Sequence, residues 1–115
     1  MIILNGLKNC DTCRKAMKWL DGEKMAFTFR DVRADGVDAE SMSRWIAAAG
    51  WETLLNRRGT TWRGLPDADK EGVDEAKAAA LMLAHPALIK RPVFEADGRV
   101  WVGFKDDVKE ALAAI

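Results

Sequence analysis

The hydrophobic period of the chain changes twice between residues 2 and 32, and this restricts the fold more than any other feature. The segment opens with a short apolar run, Ile2-Ile3-Leu4, which is typical of a buried strand. Helical spacing then predicts a helix over residues 10–20, whose apolar stripe consists of Cys13, Ala16, Met17 and Leu20. Residues 26–32 alternate in hydrophobicity, which predicts a second strand.

This opening is a β-α-β unit, with Asp21-Gly22 predicted to end the helix. A helical crossover between neighbouring strands normally makes them parallel and right-handed. We therefore expect the first helix to lie on one face of the sheet, with its N-terminus at the sheet edge.

The middle of the chain is predicted to be helical. One helix follows Asp38 and ends near Gly50, with Met42, Trp45, Ile46 and Ala49 on its buried face. Residues 51–65 lack a long period and predict short turns and loops. A second helix is predicted over residues 74–84, with these side chains available for packing: Ala76, Ala80, Leu81 and Leu83.

The last third carries the strongest hairpin signature in the chain. Residues 93–96 and 99–102 are rich in strand-forming side chains and flank Asp97-Gly98, a dipeptide that favours tight hairpin turns. An amphipathic helix over residues 106–115 follows. The order β-α-β, helical insert, β-β-α predicts a mixed α/β, thioredoxin-like fold of one domain over residues 1–115, with a helical insertion at about 38–90.

Charge and composition exclude several classes of function. Lys plus Arg and Asp plus Glu both number 18, so no net field draws the whole molecule to nucleic acid or to an anionic membrane. No apolar run approaches the roughly 20 residues of a membrane span, and the N-terminus does not resemble a secretory signal. We expect a cytoplasmic protein that binds neither nucleic acid nor membrane.

Both cysteines lie in Cys10-Asp11-Thr12-Cys13, where the first loop becomes the first helix. Free N–H groups and the helix dipole stabilise negative charge there, so Cys10 is predicted to ionise more readily than an ordinary thiol. Lys8 adds positive charge nearby, and Cys10 is the predicted nucleophile. Cys13, three residues later, can act as the resolving thiol or can be a small core side chain on the apolar stripe.

Other residues that could carry chemistry are weaker candidates. A metal site is not predicted, because two cysteines and His85 fall short of four ligands. Arg57, Arg58 and Arg63 form a cluster suited either to an oxyanion site or to a solvated loop. Arg91-Pro92 places a basic residue at the start of a predicted strand.

Three motifs together resemble the arsenate reductase-related (ArsC) family, and within it the short YffB-type branch. They are Asn9-Cys10-Asp11-Thr12 with Arg14-Lys15-Ala16, Leu55-Asn56 with residues 58–63, and His85-Pro86 with Ile89-Lys90-Arg91-Pro92. The resemblance implies a thioredoxin-like fold, a nucleophilic Cys10, a cis proline at Pro92, and substrate-loop residues Asn9 and Pro92. It also implies that Arg58 and Arg91 contribute to a site that stabilises an oxyanion or the thiolate.

The resemblance also implies an activity. Family members reduce arsenate by thiolate attack, and glutathione and glutaredoxin resolve the adduct. We therefore expect a thiol-dependent reductase with no bound cofactor, with glutathione as co-substrate, a small oxyanion or glutathione-linked substrate, and glutaredoxin as a partner. The Cys-x-x-Cys pair is also similar to the redox switch of Spx-like regulators. The alternative is a redox-sensing module that binds a protein such as RNA polymerase.

Overall fold

Four strands form one mixed sheet in the order β2-β1-β3-β4. Strand β1 (Ile2–Gly6) pairs in parallel with β2 (Phe27–Asp31) and antiparallel with β3 (Val93–Ala96). Strand β3 pairs antiparallel with β4 (Arg99–Val102). The predicted thioredoxin-like order and the parallel opening pair are confirmed.

The structure is a computed structural model that describes residues 1–115. The chain divides into two units: Met1–Asp35 with Arg91–Ile115, and Gly36–Lys90. The first unit holds the sheet and both cysteines, and the second is helical. None of the helices combines the length and the apolar character that a membrane span requires.

The core of the first unit lies between one face of the sheet and two helices, α1 (Asp11–Gly22) and α7 (Asp106–Ala113, numbered by its place in the chain). It consists of Ile2, Leu4, Ala16, Leu20, Phe94, Ala96, Val108 and Leu112. The helix stripe predicted from the sequence is therefore the buried side of α1. The helix includes Asp21 and ends at Gly22, as predicted, and the backbone N–H of the following residue, Glu23, donates to the carbonyl of Trp19 at 2.9 Å.

The β3–β4 hairpin turns at Asp97 and Gly98, as predicted. Their φ angles are 52° and 74°, so both residues adopt the left-handed conformation that a type I′ turn requires. The turn fixes the register in which Val93 lies opposite Val102. The start of β3, directly after Arg91-Pro92, is thereby held in the sheet.

The second unit contains five helices and a 3-10 turn. These are α2 (Ala39–Ala49), α3 (Trp51–Leu54), α4 (Thr60–Arg63), α5 (Asp67–Lys70), α6 (Glu75–Ala84) and the turn Pro86–Leu88. The carboxylates of Asp38 and Asp74 accept N–H bonds from Ser41 and Lys77, which caps α2 and α6 at the predicted starts.

Two predictions for the second unit are wrong. Residues 51–65 are not only turns, because two one-turn helices, α3 and α4, lie there; helices this short show no apolar period. On α6, Leu81 is buried as predicted and Leu83 is half-buried, but Ala76 and Ala80 are exposed, and Ala78 and Met82 complete the buried side instead. The alanine-rich sequence carries too little contrast in hydrophobicity to define that side.

Candidate active site around Cys10

Cys10 is the residue that caps the N-terminus of α1. Its backbone is extended, with φ −94° and ψ 120°, and its carbonyl accepts the helical N–H bond of Arg14 at 3.0 Å. The preceding turn is closed by the N–H of Cys10, which donates to the carbonyl of Leu7 at 3.2 Å. The side chain is half-buried, so its sulfur lies where the free N–H groups of the helix start meet the surface.

Three groups favour the thiolate form of Cys10. Partial burial raises the pKa of Cys10, but the neighbouring N–H and thiol of Cys13, together with the nearby guanidinium of Arg91, bring this pKa below its ordinary value of 9.0. The predicted helix-start effect is therefore joined by a cation from a distant part of the chain. A lower pKa increases the fraction of Cys10 that is present as thiolate, which is the nucleophilic form of a cysteine.

Cys13 lies one turn further along α1 in the opposite kind of environment. Its side chain is 0% exposed, and burial, followed by the neighbouring Cys10, raises its pKa to about 12, although the N–H of Leu7 opposes this rise. Both cysteines are free thiols. At neutral pH Cys13 is thus a protonated group that donates to the sulfur of Cys10.

Gly6 is a site residue that sequence reasoning missed. A Cβ atom at Gly6 would lie 2.5 Å from Cys13 Sγ and 3.3 Å from Cys13 Cβ. Only a glycine lets the cysteine sulfur lie against the end of β1. Its place next to the Cys-x-x-Cys turn is a signal, but Asn5-Gly6 reads in sequence as an ordinary strand end.

Arg91 and Pro92 enter the site from the start of β3. The Arg91-Pro92 bond is cis, as the family resemblance implies. Pro92 is buried, and its carbonyl accepts the N–H of Gly103 at 2.8 Å, which ties this segment to the end of β4. Arg91 is half-buried, and its guanidinium acts on Cys10. The structure therefore brings together Cys10, Cys13 and Arg91.

The remaining predicted site residues have other surroundings. Lys8 and Asn9 are exposed in the turn before Cys10. The pKa of Asp31 is lowered mainly by the N–H of Ala34 and also by the N–H and ammonium of Lys8, so the charge of Lys8 is shared with that carboxylate. Arg58 is exposed in the second unit, where its N–H donates to Asn56 Oδ1 at 3.0 Å. The proposed role of Arg58 stays a prediction.

No group of three or more His, Cys, Asp or Glu side chains is arranged to hold a metal ion. The chemistry that the described groups can perform is that of the Cys10 sulfur, with Cys13 as a proton donor or second thiol.

Comparison with solved structures and other proteins gives two groups of relatives. A YffB protein is 53% identical, with a TM-score of 0.92 over 96% of this chain and 97% of that one. An arsenate reductase (ArsC) related protein from Brucella melitensis is 46% identical, with a TM-score of 0.78 over 99% of this chain and 95% of that one. More distantly, the global transcriptional regulator Spx 2 of Bacillus anthracis is 22% identical over 93% of this chain and 82% of its own.

The model of the ArsC family matches residues 6–112, which include both cysteines, Arg58 and Arg91. This match and the arsenate reductase-related structure support a thiol-dependent oxidoreductase. The chain belongs to the ArsC family.

Proposed function

We propose that this protein is a reductase that uses the Cys10 thiolate as its nucleophile and glutathione as its electron donor. One observation carries the proposal: a half-exposed sulfur at the start of α1 has a lowered pKa and a guanidinium, Arg91, beside it. The same setting suits attack on an anionic centre, because the positive charge that stabilises the thiolate also attracts an anion.

Two substrate classes fit this sulfur. With a glutathione mixed disulfide, Cys10 attacks one sulfur, the S–S bond breaks, and the other thiol leaves as a thiolate. With arsenate, Cys10 displaces an oxygen as water and forms a bond to arsenic. Two glutathione molecules then supply two electrons in total, and the products are arsenite and glutathione disulfide.

Cys13 offers an internal route for the mixed disulfide. When Cys10 becomes bonded to glutathione, it loses the negative charge that helps to raise the pKa of Cys13. Cys13 then releases its proton to the departing glutathione thiolate and attacks Cys10, which leaves a Cys10–Cys13 disulfide. External glutathione or glutaredoxin would complete the same cycle by reducing Cys10 directly.

Arg58 and Asn9 enter the proposal through the family resemblance alone, and Lys8 enters through its positive charge beside the Cys10 turn. Arg58 and Lys8 would bind the oxyanion, and Asn9 would contact the substrate. Glutathione as donor also implies a reducing compartment, which agrees with a cytoplasmic protein.

The test compares both substrates in one preparation, with production of glutathione disulfide as the readout. Wild type should reduce arsenate or a glutathione mixed disulfide. Cys10→Ser should lose activity by roughly three orders of magnitude or more, because the hydroxyl does not ionise near neutral pH. Cys13→Ser should keep turnover with excess glutathione. Retention of wild-type turnover in Cys10→Ser, or no turnover of either substrate by wild type, would overturn the proposal.

A second candidate is a redox-sensing module, favoured by the match to Spx regulators and by a cysteine pair with one half-buried and one buried thiol. In this case the Cys10–Cys13 disulfide would change binding to RNA polymerase. Binding of purified bacterial polymerase to reduced and oxidised protein tests it, with Cys13→Ser as the form that cannot close the disulfide. Equal binding by all three forms would exclude the sensor.

A further inference from the structure

Asn5 is a buried polar residue that the reaction scheme does not use. It lies on β1 opposite Arg30 of β2 and Val93 of β3, and its side chain is 1% exposed. Its amide Nδ2 donates to the carbonyl of Val93 at 3.0 Å and to Glu95 Oε2 at 3.4 Å. Both neighbours are acceptors, so the amide orientation is fixed.

The amide oxygen of Asn5 is buried and receives no hydrogen bond from the protein. An apolar side chain of similar size, such as leucine, would avoid the cost of burying that oxygen. Packing alone therefore does not explain why an amide occupies this position. The bonds to Val93 and Glu95 are contacts that a leucine could not make, and the bond to Val93 is the shorter of the two.

The position of this bond links the two segments that form the site. Asn5 directly precedes Gly6, which lies against Cys13 Sγ, and the Cys10 turn follows. On the other strand, Val93 directly follows Arg91-Pro92. The Asn5 amide thus connects β1, which precedes the Cys10 turn, with β3, which follows Arg91.

We propose that Asn5 is a positioning residue that holds the Arg91 segment in register with the Cys10 turn. The bond adds a side-chain constraint to the backbone pairing of β1 with β3, at the pair nearest to Arg91. Asn5 does not touch the reacting sulfur, and it acts through Arg91. This inference rests on the proposed function only in taking the Cys10 thiolate as the reactive group.

The test measures ionisation of Cys10 rather than turnover, so it is independent of the natural substrate. Thiolate absorbance near 240 nm and the iodoacetamide rate are recorded against pH for wild type, Asn5→Leu and Arg91→Gln. The charged and titratable groups that act on Cys10 are Cys13 and Arg91. Asn5→Leu should raise the Cys10 pKa and slow alkylation at pH 7 by roughly threefold or more, because the guanidinium is less well held.

A double variant separates positioning from a general effect on the fold. In the Arg91→Gln background, Asn5→Leu should produce no further change in alkylation rate, because the residue through which it acts is gone. Ile3→Val is the matched control: it lies two residues away on β1, opposite Glu95, and should leave the rate unchanged. Asn5→Ser removes the same bond and replaces Asn5→Leu if that variant does not fold.

Three results would overturn the inference: an unchanged rate in folded Asn5 variants, an equal loss with and without Arg91, or the same loss in Ile3→Val. If Arg91→Gln itself leaves Cys10 ionisation unchanged, the thiolate site in the proposed function also fails. If only the Asn5 effect is absent, the proposed function is untouched.

Discussion

The two ends of the first turn of α1 place chemically identical side chains in opposite surroundings. Cys10, at the N-terminal end, is half-exposed and has Arg91 beside it. Cys13, one turn later, is fully buried and packs against Gly6. The pKa of Cys10 is lowered, whereas burial and then the neighbouring Cys10 raise the pKa of Cys13 to about 12. Two sulfurs that are close along a helix therefore differ in reactivity, because burial raises the pKa of one and a cation from a distant segment helps to lower the pKa of the other.

The largest expected consequence is selective alkylation. At pH 7 iodoacetamide should modify Cys10 on the order of 100-fold faster than Cys13, since a smaller thiolate fraction at Cys13 outweighs its greater intrinsic nucleophilicity. Mass spectrometry of digested samples taken over time measures both rates. In concentrated urea, which unfolds the protein, the two alkylation rates should converge because the folded surroundings of the two thiols are lost. Equal labelling of both thiols in the folded protein would contradict the assigned roles.

The packing of the Cys13 sulfur against Gly6 can be tested by adding a side chain at Gly6. Gly6→Ala places a Cβ 2.5 Å from Cys13 Sγ and should lower the free energy of unfolding by about 1–3 kcal/mol, which urea titration measures. Gly22→Ala is the control, because nothing lies within 4 Å of its added Cβ. That helical variant should be as stable as wild type or more so.

A second background makes the Gly6 test specific for the sulfur. In Cys13→Ala the sulfur is absent, and the nearest side-chain atom left is the Cβ, at 3.3 Å in wild type. Gly6→Ala should then cost much less. A loss as large as in wild type would mean that strand geometry, rather than the Cys13 sulfur, requires glycine.

Alkaline pH should destabilise the protein through Cys13. The folded state retains the Cys13 proton up to a pKa of about 12, whereas the unfolded chain releases it near 9.0. The stability that the protonated Cys13 contributes is thus present below pH 9 and is lost as the pH rises toward 12. Cys10 has a lowered pKa in the folded state, so its ionisation stabilises the folded protein. That stabilisation is almost fully present once the pH exceeds the pKa of Cys10 in the unfolded chain.

Between about pH 9 and 10.5, wild type should lose about 2 kcal/mol of unfolding free energy relative to Cys13→Ala. Urea titrations at both pH values, with reductant present, provide the measurement. The comparison removes the ionising groups that do not depend on Cys13, because they are common to both proteins. Cys10 does depend on the Cys13 thiol, but its own contribution changes little above about pH 9. Parallel pH dependences in the two proteins would show that Cys13 does not retain its proton on folding.

Much of this comparison could be predicted from the sequence. The change of hydrophobic period places Cys10 at the start of α1 and Cys13 on its buried stripe, because both features depend on local spacing. The hairpin was predictable for the same reason, since Asp97-Gly98 favours the left-handed turn that it forms.

What the sequence could not show depends on contacts between distant segments. The approach of Arg91 to Cys10 arises only when β1 and β3 pair. The fit of Cys13 against Gly6 depends on how α1 packs on the end of β1, which residue spacing alone does not specify. The side chain of Lys8 adjoins the thiol turn in sequence, yet it acts on Asp31 across the strand ends. Counting local charges therefore identified the cation at Lys8 but not the Asp31 carboxylate on which it acts.

The smallest expected effect concerns the cation at the exposed end of the turn. Arg91→Gln should raise the Cys10 pKa, since both a hydrogen bond and a positive charge are lost. The rise is limited because the N–H and thiol of Cys13 remain, and their effects rank ahead of Arg91. The Cys10 pKa of Arg91→Lys should fall between those of wild type and Arg91→Gln, because lysine restores the charge without the planar set of guanidinium donors.

Arg99→Gln is the control for this last prediction, because it removes the same charge from the same unit. Arg99 is exposed on β4, with its guanidinium carbon 5.9 Å from the centre of the Trp101 ring. Titration of the absorbance near 240 nm should show a shift for Arg91→Gln and none for Arg99→Gln. Equal shifts would mean that net charge, rather than a guanidinium held against the sulfur, sets the ionisation of Cys10. The difference between the two cysteines would then depend on burial and on the effects of the Cys13 N–H and thiol on Cys10.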